Sequence, residues 1–549
     1  MPAATSTDTP TSLAADVIIV GAGFGGCYAL HELRRQGYTA KILESGGDFG
    51  GVWHFNKYPG ARVDSETPLY QLGLPQVYET FSFTERFPDS DEIRQYFAHV
   101  DKTLDLRKDT VFHAKVVKVD HDPTSNTWSL TTASGLTATC RYVIFAAGSS
   151  NKKYIPDFPK LEDFRGEVIH PAGWPEGFDI SGKKIGVVGQ GASGLQIVQE
   201  LAKKDCELTV FVRNPCTAIP MGQRDIPRHE AEELKSLYGS IWQKAKYASG
   251  TGYAYNDCPY SFNDLDRDER HELYERLWAR GGYAFFASLF SDYIMNKEAN
   301  AEVYNFWASK VRARITDPEK RDIMAPLKQF QWICAKRPSL EMDYYEMIDR
   351  PNVKVVDLKR TPIQEFVSDG VTTSDGKLHE LDVVVFATGY DSVTGSLYDM
   401  NIHDKNGLLL QKKWKDGIKT HLGMMAPDFP NAFFLYGPQA PTSLANGPPF
   451  LELQVEWVTK VLQRMKSDGV CALEVAPAAA AAWGALSSQI FQAMLHSETP
   501  SWYNGSNIPG KRQEPLIWFG GMKSWWDACN DALKDWSKFV VVRQEGAAS

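Results

Sequence analysis

Two glycine-rich segments have the spacing of loops that bind the pyrophosphate of a dinucleotide. The first, Gly21-Ala22-Gly23-Phe24-Gly25-Gly26, directly follows the apolar run 16–20. In a G-x-G-x-x-G pattern, the first glycine permits a tight turn, the second lets the backbone approach the pyrophosphate, and the third lets the next helix pack closely on the sheet. Glu44 ends the next apolar run, 40–43, where its carboxylate can accept hydrogen bonds from the hydroxyls of an adenosine ribose. This order predicts a site for a dinucleotide without a 2′-phosphate, which Glu44 would repel.

The second segment, Gly189-Gln190-Gly191-Ala192-Ser193-Gly194, has the same pattern but the opposite charge at the matching position. It follows the apolar run 184–188, and the next run, 207–212, ends in Arg213 instead of an acid. A guanidinium is the electrostatic choice for a 2′-phosphate, so this site should select NADPH over NADH. The alternative is that Arg213 is a solvated residue at a strand end. Two nucleotide sites of different charge preference indicate transfer of hydride between two dinucleotides.

The two loops require two sheets to hold them, and the chain is long enough to build both. Its 549 residues exceed the size at which one hydrophobic core stops growing. The predicted fold class is α/β, with two Rossmann-like dinucleotide-binding domains and an inserted helical subdomain. In the insertion, an aromatic and aliphatic stripe repeats at helical spacing and is expected to be core: Phe286, Leu289, Phe290, Tyr293 and Ile294. The predicted boundaries are a flexible arm at 1–15, one domain at 16–150 and 391–540, the other at 151–219 and 328–390, and the insertion at 220–327.

Composition and charge exclude several classes of partner. Hydrophobic residues make up 43% and charged residues 23% of the chain, as in soluble globular proteins. A formal net charge of −9 provides no positive field for nucleic acid, and no apolar run approaches the roughly 18 residues of a membrane span. The eight cysteines form no C-x-x-C pair and no zinc spacing, which argues against a disulfide reductase and against a bound metal. We expect a small-molecule substrate, a cytoplasmic location, and a monomer or weak homo-oligomer without stable membrane insertion.

A motif between the two glycine-rich segments carries a family resemblance. Residues 164–175 contain F-x-G-x-x-x-H-x-x-x-W-P. This motif resembles the signature of Baeyer–Villiger monooxygenases, flavoproteins that insert one oxygen atom of O2 next to a ketone carbonyl. Residues 50–64, which contain Gly50-Gly51-Val52-Trp53, Tyr58-Pro59-Gly60 and Asp64, resemble a second consensus of that family. The resemblance implies that the first glycine-rich segment binds FAD.

The resemblance also implies a reaction and two residues that carry it. NADPH- and O2-dependent oxidation would convert a ketone to an ester or lactone through a flavin peroxide, with sulfoxidation as a side activity. Arg337 matches the family's arginine over the flavin, and Asp64 matches the carboxylate that orients it. A guanidinium stays charged at any relevant pH and can direct donors at developing negative charge. Without the family motif, Lys336-Arg337 would be interpreted as a solvated basic pair.

Further residues are expected to hold the two cofactors. Arg213, Asn214 and Lys336 match positions that bind the phosphate of NADPH, although many relatives have Thr in place of Asn214. Trp502 belongs to a segment similar to the family's S-W-x-x-G-x-N-I-P-G-K loop and is expected to donate a hydrogen bond to NADP. His170 is expected to couple the two domains and not to act as an acid or base. The predicted cofactor contacts are Gly21, Gly23, Gly25, Gly26, Glu44, Gly51, Val52, Trp53, Arg62, Val63, Asp64, Tyr70, Val116, Gly189, Gly191, Ser193, Gly194, Arg213, Asn214, Lys336, Arg337 and Trp502.

Two alternative functions remain at this stage. A flavin-containing monooxygenase that oxygenates nitrogen or sulfur would share both glycine-rich segments. Such enzymes carry Tyr where this chain has Trp174-Pro175, which argues against that interpretation. A redox-sensing flavoprotein without oxygenation chemistry would need loss of Arg337 or Asp64, and both are present.

Overall fold

The computed structural model describes residues 12–544, and a seven-stranded sheet carries the first glycine-rich segment. In the order of hydrogen-bonded neighbours, its strands are Thr110–Val111, Ala40–Leu43, Ser12–Val20, Thr137–Phe145, Thr127–Thr132 and Val116–Asp122, with Ala432–Phe434 also paired to Thr137–Phe145. The first four strands and Ala432–Phe434 are parallel to their neighbours, whereas Val116–Asp122 and Thr127–Thr132 form an antiparallel edge. The run Val17–Ile19 is fully buried, as expected for a central parallel strand.

The first strand begins earlier than the sequence predicts. It starts at Ser12 and not at Asp16, and Ser12–Ala15 of the predicted arm pair with Thr137–Cys140. The partner strand is long enough to offer its backbone N–H and C=O groups to these residues, and pairing satisfies both sides. The remainder of the predicted arm, residues 1–11, lies outside the described residues.

A five-stranded parallel sheet carries the second glycine-rich segment. Its strands, in spatial order, are Val353–Asp357, Cys206–Val212, Lys183–Val188, Val383–Phe386 and Glu167–Ile169. The edge strand Glu167–Ile169 belongs to the F-x-G-x-x-x-H motif, so the motif is part of this sheet. Gly166 precedes it, and a Cβ there would lie 2.4 Å from the carbonyl oxygen of Asp382, which explains the glycine.

The inserted region 220–327 is helical, as the sequence predicts, but its aromatic stripe is not one helix. Its α-helices are Arg228–Lys235, Tyr238–Tyr247, Arg267–Arg280, Ala284–Ala287, Lys297–Arg312 and Pro318–Met324. Phe286 lies in a helix, whereas 289–294 are irregular, with turns at 291–294. Leu289, Phe290 and Tyr293 are buried, so the stripe is core as expected. Burial in an irregular segment produced the spacing that suggested a helix.

The other elements complete the layers around the two sheets. Further strands are Ile219–Pro220, Leu340–Glu341, Ile363–Val367, Gly370–Thr373, Leu378–Glu380, Val470–Val475 and Phe539–Arg543. Further α-helices are Phe24–Arg35, Val52–Phe55, Pro75–Tyr78, Ser90–Leu104, Ala192–Leu201, Tyr344–Asp349, Gly395–Asp399, Leu410–Lys413, Gly447–Ser467, Pro477–Gln492 and Met522–Lys534. One continuous cluster of buried side chains joins both sheets and the insertion. The exact domain boundaries stay a prediction.

Candidate active site

The first glycine-rich segment forms a tight turn between a strand and a helix. Gly21 has φ +109°, and a Cβ on Gly26 would lie 1.9 Å from the carbonyl oxygen of Gly21. Glycine is therefore required at both positions. The helix Phe24–Arg35 starts here with no acidic residue in its own first turn, so its N-terminus presents positive potential to the glycine turn.

Glu44 is held at the end of the next strand by backbone donors. Its Oε2 accepts a hydrogen bond from the N–H of Ala22 at 2.7 Å, and its Oε1 accepts one from the N–H of Gly46 at 2.6 Å. The side chain is almost fully buried. This arrangement fixes a carboxylate beside the glycine turn, where it can accept from ribose hydroxyls.

A cavity of about 770 Å³ extends from this turn to Arg337. Its size falls within the roughly 300–1,000 Å³ that is typical of cofactor and ligand sites. The predicted residues that line it are Gly21, Gly23, Gly25, Glu44, Gly51, Val52, Trp53, Asp64, Tyr70, Val116, Arg337 and Trp502. A Cβ on Gly51 would lie 3.0 Å from the Cα of Gly23, so two backbone segments without side chains face each other at the expected position of the pyrophosphate. These features fit a bound dinucleotide.

Three residues predicted to contact the same cofactor, Gly26, Arg62 and Val63, do not line this cavity. The guanidinium of Arg62 pairs with the carboxylate of Glu85 and donates to the carbonyl oxygen of Phe87. Val63 is only 2% exposed and packs in the core. Neither of these two side chains therefore reaches the interior of the cavity.

Arg337 and Asp64 form a bidentate ion pair at one end of the cavity. Arg337 Nε donates to Asp64 Oδ2 and Arg337 Nη2 donates to Asp64 Oδ1, both at 2.8 Å. Burial by itself would raise the pKa of Asp64, but the charge and hydrogen bonds of Arg337 outweigh it and lower the pKa below its usual value. The same pair raises the pKa of Arg337, so both groups are charged throughout the physiological range.

Two tyrosines and a carbonyl oxygen fix this pair further. Tyr253 Oη accepts from Arg337 Nη2 at 3.0 Å, and the carbonyl oxygen of Ser443 accepts from Nη1 at 2.7 Å. Tyr283 Oη donates to Asp64 Oδ2 at 2.6 Å, and Arg337 Cζ lies 4.6 Å from the centre of the Tyr283 ring. A guanidinium has five N–H donors, and four of them now have acceptors. Within residues 12–544, the second N–H of Arg337 Nη1 is the one that has no acceptor.

The second glycine-rich segment repeats the geometry of the first. Gly189 has φ +111°, and a Cβ on Gly194 would lie 2.2 Å from the carbonyl oxygen of Gly189. A Cβ on Gly191 would meet no atom within 4 Å, so the turn faces open space. Ser193 Oγ donates to Tyr58 Oη at 3.1 Å, which joins this turn to the segment 50–64 of the other unit.

A cluster of cations lies near the second turn and apart from the first cavity. Arg213 and Asn214 directly follow the strand Cys206–Val212. Burial lowers the pKa of Lys336, and the neighbouring charges of Arg213 and Lys359 lower it further. Lys336 therefore faces the cations, whereas the next residue, Arg337, faces Asp64. The sequence predicted Arg213, Asn214 and Lys336 here but not Lys359.

His170 links the motif strand to the neighbouring strand end. Its Nδ1 accepts from the N–H of Ala172 at 3.2 Å, so the proton lies on Nε2, which donates to the carbonyl oxygen of Gly389 at 3.0 Å. Burial lowers its pKa, which favours this neutral form. These contacts tie the motif to the end of the strand Val383–Phe386 within the second unit, and the predicted coupling of the two domains stays a prediction.

Comparisons with known proteins identify the family. A family profile described as "Pyridine nucleotide-disulphide oxidoreductase" matches residues 18–237. The chain is 38% identical to "FAD-binding monooxygenase acrE" of Aspergillus aculeatus, over 97% of this chain and 90% of that protein. It is 33% identical to "Baeyer-Villiger monooxygenase" of Pseudooceanicola batsensis, over 97% of each chain. The chain belongs to the Baeyer–Villiger monooxygenase family.

A solved structure of the Baeyer–Villiger family shares the whole fold. The cyclohexanone monooxygenase of Rhodococcus sp. Phi1 bound to NADP+ is 33% identical and superposes with a TM-score of 0.93, over 97% of this chain and 100% of that chain. The predicted α/β fold, the enzyme class and the cofactors FAD and NADP(H) are thereby confirmed. The roles of individual residues stay predictions. In the described part of the chain, no helix is long and apolar enough to cross a membrane, and no cluster of His, Cys, Asp and Glu could hold a metal ion.

Proposed function

We propose that this enzyme oxidises a small cyclic or open-chain ketone to a lactone or ester, with O2 as co-substrate and Arg337 as the group that stabilises negative charge in the reaction. FAD, when bound, supplies hydride acceptance and oxygen activation. The observation that carries the proposal is the remaining N–H of Arg337 Nη1, which belongs to a side chain that lines the cavity. A directed donor in such a site favours the charge that develops on a substrate oxygen.

The neighbours of Arg337 determine where that donor points. Asp64 takes two of its N–H groups, and Tyr253 and Ser443 take one each. The side chain of Arg337 is therefore fixed before substrate binds, and its remaining donor needs no reorganisation. Asp64 and the two tyrosines act as positioning residues in this proposal, and Arg337 is the catalytic one.

The second glycine-rich segment is proposed to bind NADPH. Its turn would hold the pyrophosphate, while Arg213, Asn214 and Lys336 would hold the 2′-phosphate. Trp502 lines the first cavity and could donate its indole N–H to the nicotinamide half of the same cofactor. Since Lys336 and Arg337 are consecutive, binding of the phosphate and positioning of the catalytic guanidinium depend on one backbone segment.

The predicted domain boundaries are kept as part of the proposal, except that the first domain begins at Ser12. A reducing, cytoplasmic compartment and a monomer or weak homo-oligomer are also part of the proposal. None of the eight cysteines forms a disulfide, and several are fully buried. Free buried thiols and the use of NADPH both suit a reducing compartment.

The decisive experiment compares Arg337→Ala with the wild type in two separate half-reactions. The purified FAD-bound protein is first reduced by NADPH without oxygen, and flavin bleaching is recorded. Air and cyclohexanone are then added, and lactone is measured by gas chromatography. Arg337→Ala should still be reduced, while lactone formation should fall by about 100-fold or more, the usual effect of losing a transition-state donor.

A matched control is Arg141→Ala, because Arg141 donates to the carbonyl oxygen of Val470 away from the cavity. This variant should form lactone at the wild-type rate. Lactone formation by Arg337→Ala at the wild-type rate would remove Arg337 from the mechanism. Failure of the wild type to oxidise any ketone, despite reduction by NADPH, would refute the proposed reaction.

A further inference from the structure

The carboxyl edge of the second sheet places Lys359 beside Arg213. Val212 and Asp357 are parallel partners at the ends of neighbouring strands. The N–H of Leu358 then donates to the carbonyl oxygen of Val212 at 2.9 Å, which extends the pairing by one residue. Arg213 and Lys359 therefore leave the sheet at the same edge, where ligands bind in open α/β sheets.

An aromatic ring holds the ammonium group of Lys359. Its Nζ lies 5.2 Å from the centre of the Phe330 ring, within the range of a cation–π contact. The residue after Phe330 is also tied to this edge, because Gln331 Nε2 donates to Thr217 Oγ1 at 3.3 Å. Phe330 thus restricts the position of the Lys359 ammonium at this edge, although the side chain is exposed.

The cluster carries positive charge that no acid in the described part of the chain balances. Arg213, Lys336 and Lys359 form no ion pair with any carboxylate of residues 12–544. Asp357 is close in sequence, but its Oδ2 pairs with Arg360 Nε at 3.4 Å and its Oδ1 accepts from the backbone N–H of Lys359. Three like charges near one another cost free energy, and a bound dianion would relieve that cost.

We propose that Lys359 is a further phosphate-binding residue and the third cation at this site, which sets the preference of this enzyme for 2′-phosphorylated adenine nucleotides over unphosphorylated ones. The inference rests on the NADPH site proposed above and adds a residue to it. A phosphate monoester carries about −1.5 to −2 charges at neutral pH, and one arginine alone leaves part of that charge unpaired. Asn214 adds no charge, and Lys336 is largely buried, so the exposed Lys359 completes the neutralisation.

The test measures binding, with no turnover. The FAD-bound wild type, Lys359→Gln and Lys359→Arg are titrated by calorimetry with NADP+, NAD+, adenosine 2′,5′-bisphosphate and AMP. Lys359→Gln should weaken the two phosphorylated ligands by about fivefold to tenfold, the range for one partly exposed charge contact, and leave NAD+ and AMP within about twofold. Lys359→Arg should keep most of the preference, because it keeps the charge.

The matched control is Lys354→Gln on the same strand. Lys354 pairs with Glu207 at 3.2 Å and does not lie at the carboxyl edge, so this variant should bind all four ligands as the wild type does. Equal weakening of NADP+ and NAD+ in Lys359→Gln, or no weakening of either, would overturn the assignment of Lys359. A wild type that binds NADP+ and NAD+ equally would instead refute the proposed NADPH site, and the role of Lys359 with it.

Discussion

Replacing Tyr283 by Phe tests whether the environment of the ion pair controls the catalytic guanidinium. The change removes the hydroxyl that donates to Asp64 Oδ2 at 2.6 Å but keeps the ring beneath Arg337 Cζ. A hydrogen bond to a charged acceptor contributes about 1.5–3 kcal/mol. The Asp64 side chain is 31% exposed, so we take the lower end, about 1.5 kcal/mol. If loss of this hydrogen bond weakens transition-state stabilisation by Arg337 by the same free energy, ester formation should slow about tenfold, since 1.4 kcal/mol corresponds to a factor of ten.

The assay separates this effect from general destabilisation. Ester formation and NADPH consumption are measured together, and flavin reduction is measured anaerobically. Tyr283→Phe should lower the yield of ester per NADPH while flavin reduction stays within about twofold of the wild type. Tyr304→Phe is the matched control, because its buried hydroxyl donates to the carbonyl oxygen of Pro326 at 2.7 Å and contacts neither Asp64 nor Arg337.

A double-mutant cycle decides whether Tyr283 acts through Arg337. In an Arg337→Lys background the bidentate pair is absent, so Tyr283→Phe should cause little further loss of ester. A full tenfold loss in that background would show that Tyr283 acts by another route. A wild-type ester rate in Tyr283→Phe itself would also refute the reasoning.

Three other predictions follow from separate contacts. Arg213→Ala should lower the ratio of NADPH to NADH efficiency in steady-state reduction, and an unchanged ratio would contradict the phosphate assignment. Gly26→Ala should purify with little FAD, because its Cβ would lie 1.9 Å from the carbonyl oxygen of Gly21. The flavin-to-protein absorbance ratio measures this loss. The control Gly239→Ala has open space for its Cβ and should retain FAD. Burial lowers the pKa of His496 from 6.5 to about 4. Between these two pH values the unfolded chain binds one more proton than the folded protein. The free energy of unfolding therefore falls by up to about 3 kcal/mol as the pH drops from 6.5 to about 4. His496→Phe should therefore lose less melting temperature between pH 6.5 and 4, and an equal loss would contradict this assignment.

Local sequence patterns were sufficient to predict both nucleotide-binding turns. The glycine positions follow from close backbone contacts, as at Gly26 and Gly194, where any side chain would strike a carbonyl oxygen. Apolar runs of four to six residues predicted the central strands, because parallel strands are buried on both faces. The stripe 286–294 misled, because its spacing reflects burial among neighbouring segments and not a helical backbone.

The contacts of the Arg337–Asp64 ion pair were beyond sequence inference. Tyr253 and Tyr283 lie in the inserted region, more than 180 residues from Asp64 in the chain, and no local motif marks either residue. Their hydroxyls reach the pair because the insertion packs against the irregular segment that carries Asp64. Lys359 was not predicted either, because its proximity to Arg213 depends on the register of two strands that are far apart in sequence.

Lys336 and Arg337 are consecutive, so the two proposed cofactor sites share one backbone segment. Consecutive Cα atoms are about 3.8 Å apart, so the backbone at one residue cannot shift far without shifting the other. Lys336 lies among cations that repel one another, whereas Arg337 is fixed by Asp64, Tyr253 and Ser443. A phosphate that relieves the repulsion on one side would therefore steady the backbone that carries the guanidinium on the other. In this proposal, binding of NADPH and positioning of the Arg337 guanidinium are linked through a single peptide bond.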